Sequence, residues 1–312
     1  MRAFLFPGQG SQSVGMGAAL AEASQAAREV FGEVDEALGQ HLFKLMREGP
    51  EDELKLTENA QPAIMANAIA VFRSLTREGG VSLDRAAQFV AGHSLGEYSA
   101  LCAAGSFDLA TPAKLLKLRG RAMQAAVPVG VGAMAALLGA DLELAQRIAA
   151  AAAQGEVCTV ANDNDPSQVV LSGHKGAIDR AIEMAKEMGA KRAVPLPVSA
   201  PFHCPLMKPA ADAMAEALGK TVIEPPHVPL YANVTAAAVA DPTEIERLLV
   251  SQVTGMVRWR ESIANMAAAG VTEFVELGGK VLGPMVKRIA PDAKVTSIVT
   301  IEDIEAIAKE LA

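Results

Sequence analysis

The stretch Phe89-Val90-Ala91-Gly92-His93-Ser94-Leu95-Gly96-Glu97-Tyr98 leaves this chain little freedom in how it folds. The apolar run Phe89 to Ala91 reads as the end of a buried strand, and a helix-forming run follows from Leu95 to Ala104. Between them Gly92 and Gly96 bracket Ser94, which is the G-x-S-x-G pattern of a nucleophile elbow. Glycine is needed on both sides because the turn is sharp and side chains there would collide with neighbouring backbone. Such an elbow exposes Ser94 Oγ at its tip. It also aims the Leu95 N–H, at the start of the helix, toward the same point as one donor for an oxyanion. Gly-flanked serines also occur in ordinary strand–helix loops; the strand and helix on either side set this one apart.

The 312 residues suffice for one large domain or two moderate ones, and 51% are apolar, enough for a large core. The net charge of −8 argues against a nucleic-acid partner. Cys102, Cys158 and Cys204 show no metal or redox spacing and read as reduced thiols of a cytoplasmic protein. The N-terminal run breaks at Pro7, too early for a signal sequence, and no apolar stretch reaches membrane-spanning length without charges or breakers.

A short buried strand, Ala3 to Phe6, enters the loop Pro7-Gly8-Gln9-Gly10-Ser11-Gln12. The dinucleotide fingerprint fails there, because Ser13 holds the place of the third glycine. The loop can instead present a backbone N–H, such as that of Gln9, to a site at the C-terminal end of the strand. Helical periodicity runs from Ala18 to Ala37 and from Gln61 to Arg77, with Pro62 near a first helical position. A further helix is expected from Thr111 to Ala126, with Thr111 as N-cap. From Gly130 to Val198 the order is β-α-β-β-α-β, that of a ferredoxin-like unit. The expected organisation is therefore a large α/β domain over 1–129 and 199–312, with an inserted small subdomain over 130–198. The large part resumes at Ser199, and helices around Pro242–Val250 and Trp259–Ala268, a strand Glu273–Leu277 and a helix to Arg288 follow.

A serine hydroxyl needs a general base to act as a nucleophile. Of the five histidines, His93 adjoins Ser94 on the elbow and points elsewhere, while His41, His174 and His227 sit in a helix, a turn and a proline-rich connector. His203 follows a strand end and a proline where the insertion hands back to the large domain, and it is the favoured partner. No acidic residue is an obvious third member; a backbone carbonyl could hold the imidazole instead. Arg119 has apolar neighbours at helical spacing, Leu115, Leu116 and Met123, which puts it on a buried stripe, whereas Arg121 lies about 200 degrees around the helix.

Four motifs now stand in order: Phe6 to Gln12, Gly92 to Tyr98, Arg119-Gly120-Arg121-Ala122-Met123, and Pro197-Val198-Ser199-Ala200-Pro201-Phe202-His203. Together they resemble the malonyl-CoA:acyl-carrier-protein transacylase family of bacterial type II fatty-acid synthesis, from Leu5 to about Arg288. The resemblance implies a hydrolase-like core with a mostly parallel sheet and a cytoplasmic monomer. It implies malonyl-CoA and acyl carrier protein as partners, with no nucleic acid and no membrane. In the implied site, Ser94 is acylated, His203 is general base and acid, and the Gln9 and Leu95 N–H groups form the oxyanion hole. Arg119 pairs bidentately with the malonyl carboxylate. The Gln252 main-chain carbonyl orients the histidine, Asn162 and Asn164 stand on a small-domain loop bordering the thioester pocket, and Met123 and Phe202 help bind substrate. Phe202 departs from the small polar residue of some bacterial members and matches malonyl-specific polyketide acyltransferase domains, so a trans-acting polyketide acyltransferase is an alternative. The basic residues Lys191, Arg192, Lys287 and Arg288 are expected to face the acidic carrier.

The chemistry agrees. Moving malonyl between two thiols needs a covalent carrier, and its free carboxylate calls for a planar cationic fork. It needs no metal or redox cofactor, and none of the corresponding motifs occurs. A serine thioesterase or esterase on the same elbow would be expected to show an acidic triad member. A non-enzymatic anion-binding module would form no adduct on Ser94.

Overall fold

The computed structural model describes residues 1–198 and 200–311; Ser199, where the large domain is expected to resume, and Ala312 lie outside them. The described strands form two sheets. The larger contains β1 (Arg2–Phe6), β2 (Phe89–Gly92), β7 (Leu230–Ala232), β8 (Ala237–Val239), β9 (Glu273–Leu277) and β10 (Lys294–Ile298), in the order β10-β9-β1-β2-β7-β8. All its pairings are parallel except β7 with β8. Alternate residues of β1 supply different cores: Phe4 and Phe6 join Ile64, Leu101 and Leu116 on one face, while Leu5 joins Trp259, Ile263 and Phe274 on the other. That double burial is why the strand reads as an unbroken apolar run.

The smaller sheet contains β3 (Gly132–Leu138), β4 (Cys158–Asp165), β5 (Gln168–His174) and β6 (Arg192–Pro195), antiparallel in the order β4-β5-β3-β6. Helices Leu142–Ala153 and Lys175–Ala185 cover one face through Ile148 and Ile178, packed on Leu137 and Leu171. The α/β class, with a mostly parallel main sheet and a separate antiparallel one, is as expected.

The register between β1 and β2 matters most for the site. Phe6 pairs with Gly92, so the two strands end side by side and the Pro7–Gln12 loop leaves the sheet next to the elbow. Clefts beyond the carboxyl ends of parallel strands are where α/β folds place ligands.

Several local expectations change. The single helix expected over Ala18–Ala37 is two, Ala18–Ala23 and Gln25–Leu38, broken at Ser24, whose Oγ caps the second by accepting from Ala27 N at 3.0 Å. The helix expected from Gln61 begins at Thr57 and carries Pro62 inside it. The helix expected from Thr111 begins at Ala110, and Asp108 Oδ1 accepts from Thr111 N at 2.8 Å, so the capping side chain is the aspartate. His41 precedes the Leu42–Glu48 helix instead of lying within one. Asn162 and Asn164 lie in β4 and not in a loop, with register shifts between Val160 and Asn162 and between Asp163 and Asp165. No helix among the described residues is long and apolar enough to cross a membrane.

Candidate active site

A cavity of about 390 Å³ opens between the two sheets. Its lining includes Gln9, Ser94, Leu95, Arg119, Met123, Asn162, Asn164, Phe202 and His203, nine of the ten residues named from the sequence. The tenth, Gln252, is fully buried beneath them.

The elbow is as tight as its glycines demand. A Cβ on Gly92 would fall 1.9 Å from the Gly96 carbonyl carbon, and one on Gly96 would fall 2.3 Å from Phe6 O. Ser94 has φ of 54°, the left-handed region, which costs a non-glycine residue about 1–2 kcal/mol. Two hydrogen bonds hold it there: Ser94 N donates to Asn233 Oδ1 at 2.8 Å, and Gln252 Nε2 donates to Ser94 O at 2.8 Å. His203 is likewise held at φ of 54°.

Ser94 Oγ lies 2.7 Å from His203 Nε2, and His203 Nδ1 lies 2.8 Å from Gln252 O. A carbonyl only accepts, so Nδ1 carries the proton and Nε2 offers its lone pair to the serine hydroxyl. Burial, and then the charge of Arg119, pushes the His203 pKa down to about 3. The imidazole is thus neutral over the physiological range.

Arg119 is buried, as its apolar stripe predicts. Nη1 donates to Gln61 Oε1 at 2.8 Å, and Nη2 donates to Gln252 Oε1 at 2.7 Å and to Ser94 Oγ at 3.1 Å. Its guanidinium also stands over the Tyr98 ring, 5.9 Å from the centroid. All three hydrogen bonds end on neutral oxygens, and the buried Nε has no hydrogen-bond partner. A buried cation so placed is costly unless an anion joins it. Arg121, by contrast, is exposed and pairs with Glu58 at 2.7 Å.

Among the described residues, no backbone carbonyl accepts from the Gln9 or Leu95 N–H. His93 turns away from Ser94, as expected: its Nε2 lies 2.8 Å from Asn164 Oδ1 and its ring packs on Trp259. The β4 strand is further tied to the main body by ion pairs from Arg260 to Asp163 at 2.9 Å and from Arg288 to Asp165 at 2.7 Å. Of the basic residues expected to meet a carrier, Arg288 is therefore engaged, and Lys287 Nζ donates to Ala293 O at 2.7 Å.

Three polar residues of the site have no assigned role in the sequence reading. Gln61 holds Arg119. Asn233 accepts from Ser94 N and donates Nδ2 to Gly92 O at 2.7 Å. Glu97 is buried, accepts from Asn233 N at 2.6 Å and from Gln252 Nε2 at 2.5 Å, and has its pKa raised to about 8 by burial against the pull of those donors and Arg119. Glu97 belongs to the elbow stretch itself, and its signal was an acid in the first turn of a largely apolar helix. Asn233, 139 residues from its partner Ser94, carries no local signal.

A serine on an elbow above a parallel sheet, hydrogen-bonded to a neutral histidine, is an arrangement found among enzymes that handle acyl groups. The sequence profile of the acyl transferase domain family matches residues 3–281. The malonyl CoA-acyl carrier protein transacylase of Escherichia coli strain K12 is 44% identical over 288 residues, 92% of each chain. The crystal structure of an acyl-carrier-protein-S-malonyltransferase from Bartonella henselae is 51% identical and superposes with a TM-score of 0.97 over 99% of both chains. A malonyl-transacylase solved in complex with a type II PKS acyl-carrier protein is 39% identical, with a TM-score of 0.95 over 99% of both chains. The chain belongs to the malonyl CoA-acyl carrier protein transacylase family.

Proposed function

We propose that this protein transfers the malonyl group of malonyl-CoA to the phosphopantetheine thiol of acyl carrier protein, by ping-pong catalysis through malonyl-Ser94, for fatty-acid biosynthesis. The observation that carries the reading is the buried Arg119 guanidinium, 3.1 Å from Ser94 Oγ and bonded only to neutral oxygens.

Ser94 gives its proton to His203 Nε2 as Oγ attacks the thioester carbon. The oxyanion is taken by the Gln9 and Leu95 N–H groups. Collapse expels the CoA sulfur, which leaves with the proton held by His203. The carrier thiol then reverses the sequence, giving its proton to His203 as its sulfur attacks the acyl-serine. Throughout, the Gln252 carbonyl retains Nδ1–H, and Arg119 pairs with the malonyl carboxylate. Met123, Phe202, Asn162 and Asn164 border the acyl and thioester portions. The same proposal takes 1–129 and 199–312 as one unit and 130–198 as an insertion, supported by the two separate sheets. It takes the protein as a cytoplasmic monomer, with every site group drawn from one chain.

Mixing the protein with malonyl-CoA and then with holo-carrier protein, followed by intact mass, tests the reading. A malonyl adduct on Ser94 that is discharged by the carrier supports it; rapid hydrolysis would indicate a thioesterase, and no adduct a binding module. The type II PKS carrier bound by one structural relative, together with Phe202, favours polyketide supply as a second reading. Comparing discharge rates with fatty-acid and polyketide carriers separates the two.

Two further results are expected. The base must be neutral to take the serine proton, and a histidine pKa held far below the usual 6.5 keeps it neutral as the pH falls. Single-turnover acylation by malonyl-CoA should therefore show no histidine limb from about pH 7 to about pH 5. An acid limb near the ordinary histidine value would show that His203 is not so shielded in the working enzyme. The second result concerns Phe202, whose ring lines the cavity beside His203. Phe202→Ser should raise the methylmalonyl-to-malonyl ratio of kcat/KM by about 10-fold, since one methyl in an apolar pocket is worth roughly 1–3 kcal/mol. An unchanged ratio would mean that the ring does not limit the α-carbon.

A further inference from the structure

We infer that Glu97 is a positioning residue: it determines which end of the Gln252 side-chain amide faces Arg119, and through that amide it sets the preference for an anionic acyl group. The inference rests on the proposed malonyl transfer and extends it to a residue that does not line the cavity.

An amide presents an oxygen at one end and two N–H donors at the other, and packing alone barely distinguishes them. Here the surroundings decide. Gln252 Nε2 donates to Glu97 Oε2 at 2.5 Å and to Ser94 O at 2.8 Å. With both donors on acceptors, Oε1 is left to face Arg119 Nη2 at 2.7 Å. The reversed amide would set donors against a guanidinium and an oxygen against two acceptors. Glu97 is itself fixed, because its Oε1 accepts from Asn233 N at 2.6 Å. The chain of bonds thus runs from the Asn233 backbone through Glu97 and Gln252 to the arginine, and with Glu97 ionised, the form in which both of its oxygens accept, each link allows one polarity. The Gln252 backbone carbonyl, which holds His203, is a separate contact, so the side-chain amide can be disturbed while the base stays in place.

Glu97→Gln keeps size and shape and reverses one link. Its oxygen must stay on Asn233 N, so its NH2 meets the Gln252 NH2. Turning Gln252 removes that clash but sets its donors against Arg119 and its oxygen against Ser94 O, so either orientation weakens the link to the arginine. In the turned form the guanidinium loses the acceptor that aims it at the acyl group.

The test is the rate of acyl-Ser94 formation from malonyl-CoA and from acetyl-CoA at subsaturating concentration. It is measured in the wild type, Glu97→Gln, Gln252→Met and the double variant, with folding checked by thermal melting. Glu97→Gln should lower the malonyl-to-acetyl ratio by about 10-fold or more, the scale of one hydrogen bond to a charged group. Acetyl transfer should fall by much less than malonyl transfer, since the His203 contacts are untouched and any loss of the Gln252 bond to Ser94 O is shared by both acyl groups. Gln252→Met, which keeps the backbone carbonyl, should lower the ratio comparably. In that background Glu97→Gln should change the ratio by no more than about 2-fold, because its effect travels through the missing amide. Equal losses for both acyl groups, or a full effect of Glu97→Gln without the amide, would overturn the inference. If Glu97→Gln does not fold, Glu97→Asp, which withdraws the acceptors by one methylene, is judged by the same two comparisons. Failure of the wild type to form a malonyl adduct would instead overturn the proposed transfer itself.

Discussion

Ser94→Ala is expected to abolish adduct formation and to cut malonyl transfer by on the order of 10⁴-fold or more, the scale seen when a nucleophile that works with a base is removed. The fold should survive. The bonds that hold the elbow in its left-handed turn come from Ser94 N and O, not from its hydroxyl. What is lost is the 2.7 Å contact with His203 and the 3.1 Å contact from Arg119. His203 retains Gln252 O, and Arg119 retains two glutamine oxygens. Intact mass after incubation with malonyl-CoA and a thermal melt together check the result. Appreciable malonyl transfer by the folded, purified variant would remove Ser94 from the chemistry.

Arg119→Ala tests the acyl group rather than the nucleophile. It should lower kcat/KM for malonyl-CoA by at least about 100-fold, since breaking a buried ion pair costs roughly 3–5 kcal/mol. Acetyl-CoA should lose little, because no charge on its acyl group needs a partner, and the malonyl-over-acetyl preference should collapse. The comparison is internal: both substrates share one enzyme preparation, so a loss of stability lowers both rates and leaves their ratio. Arg119→Lys should recover part of the preference, as an ammonium supplies the charge without the planar fork. Arg121→Ala is the control. That side chain is exposed, and its pair with Glu58 is the kind that contributes little. Equal losses for malonyl and acetyl in Arg119→Ala would make the arginine structural and place the carboxylate elsewhere.

The difference between Arg119 and Arg121 was legible in the sequence because helical spacing alone decides which face a residue occupies. The contacts of Arg119 were not. Gln61 and Gln252 come from helices far away in sequence, and no periodicity links 61, 119 and 252. Alanine-rich stretches blurred the boundaries for a related reason. Alanine suits a helix interior and a tight core equally, so Ala18 to Ala37 gave no sign that Ser24 ends one helix and caps the next. The strand carrying Asn162 and Asn164 was hidden by its composition. Asparagine and aspartate are poor strand formers, and here β5 and the ion pairs to Arg260 and Arg288 hold them in the sheet. β10, absent from the sequence reading, is mostly of intermediate burial and so carries a weak pattern, whereas the helix Ile301–Leu311, also absent from it, shows Ile304, Ile307 and Ala308 at helical spacing and was legible.

By itself the sequence determined what depends on neighbours along the chain: the elbow with its two glycines, the apolar run of β1, the buried face of Arg119 and the alternation of strands and helices in the insertion. Each is a matter of backbone sterics or of a period that fits within one element. The tertiary structure brought His203, the partner the sequence favoured, to within 2.7 Å of Ser94 and fixed its tautomer. It also set the Gln252 carbonyl, which the resemblance implied, 2.8 Å from His203 Nδ1, and it alone joined Glu97, Asn233 and Gln252 as the polar frame under the elbow. Hydrogen bonds are short and directional, so such choices follow from atoms brought within about 3 Å by the packing of whole elements. Ser94 and His203, 109 residues apart, come together only when the chain returns from the smaller sheet to the larger one.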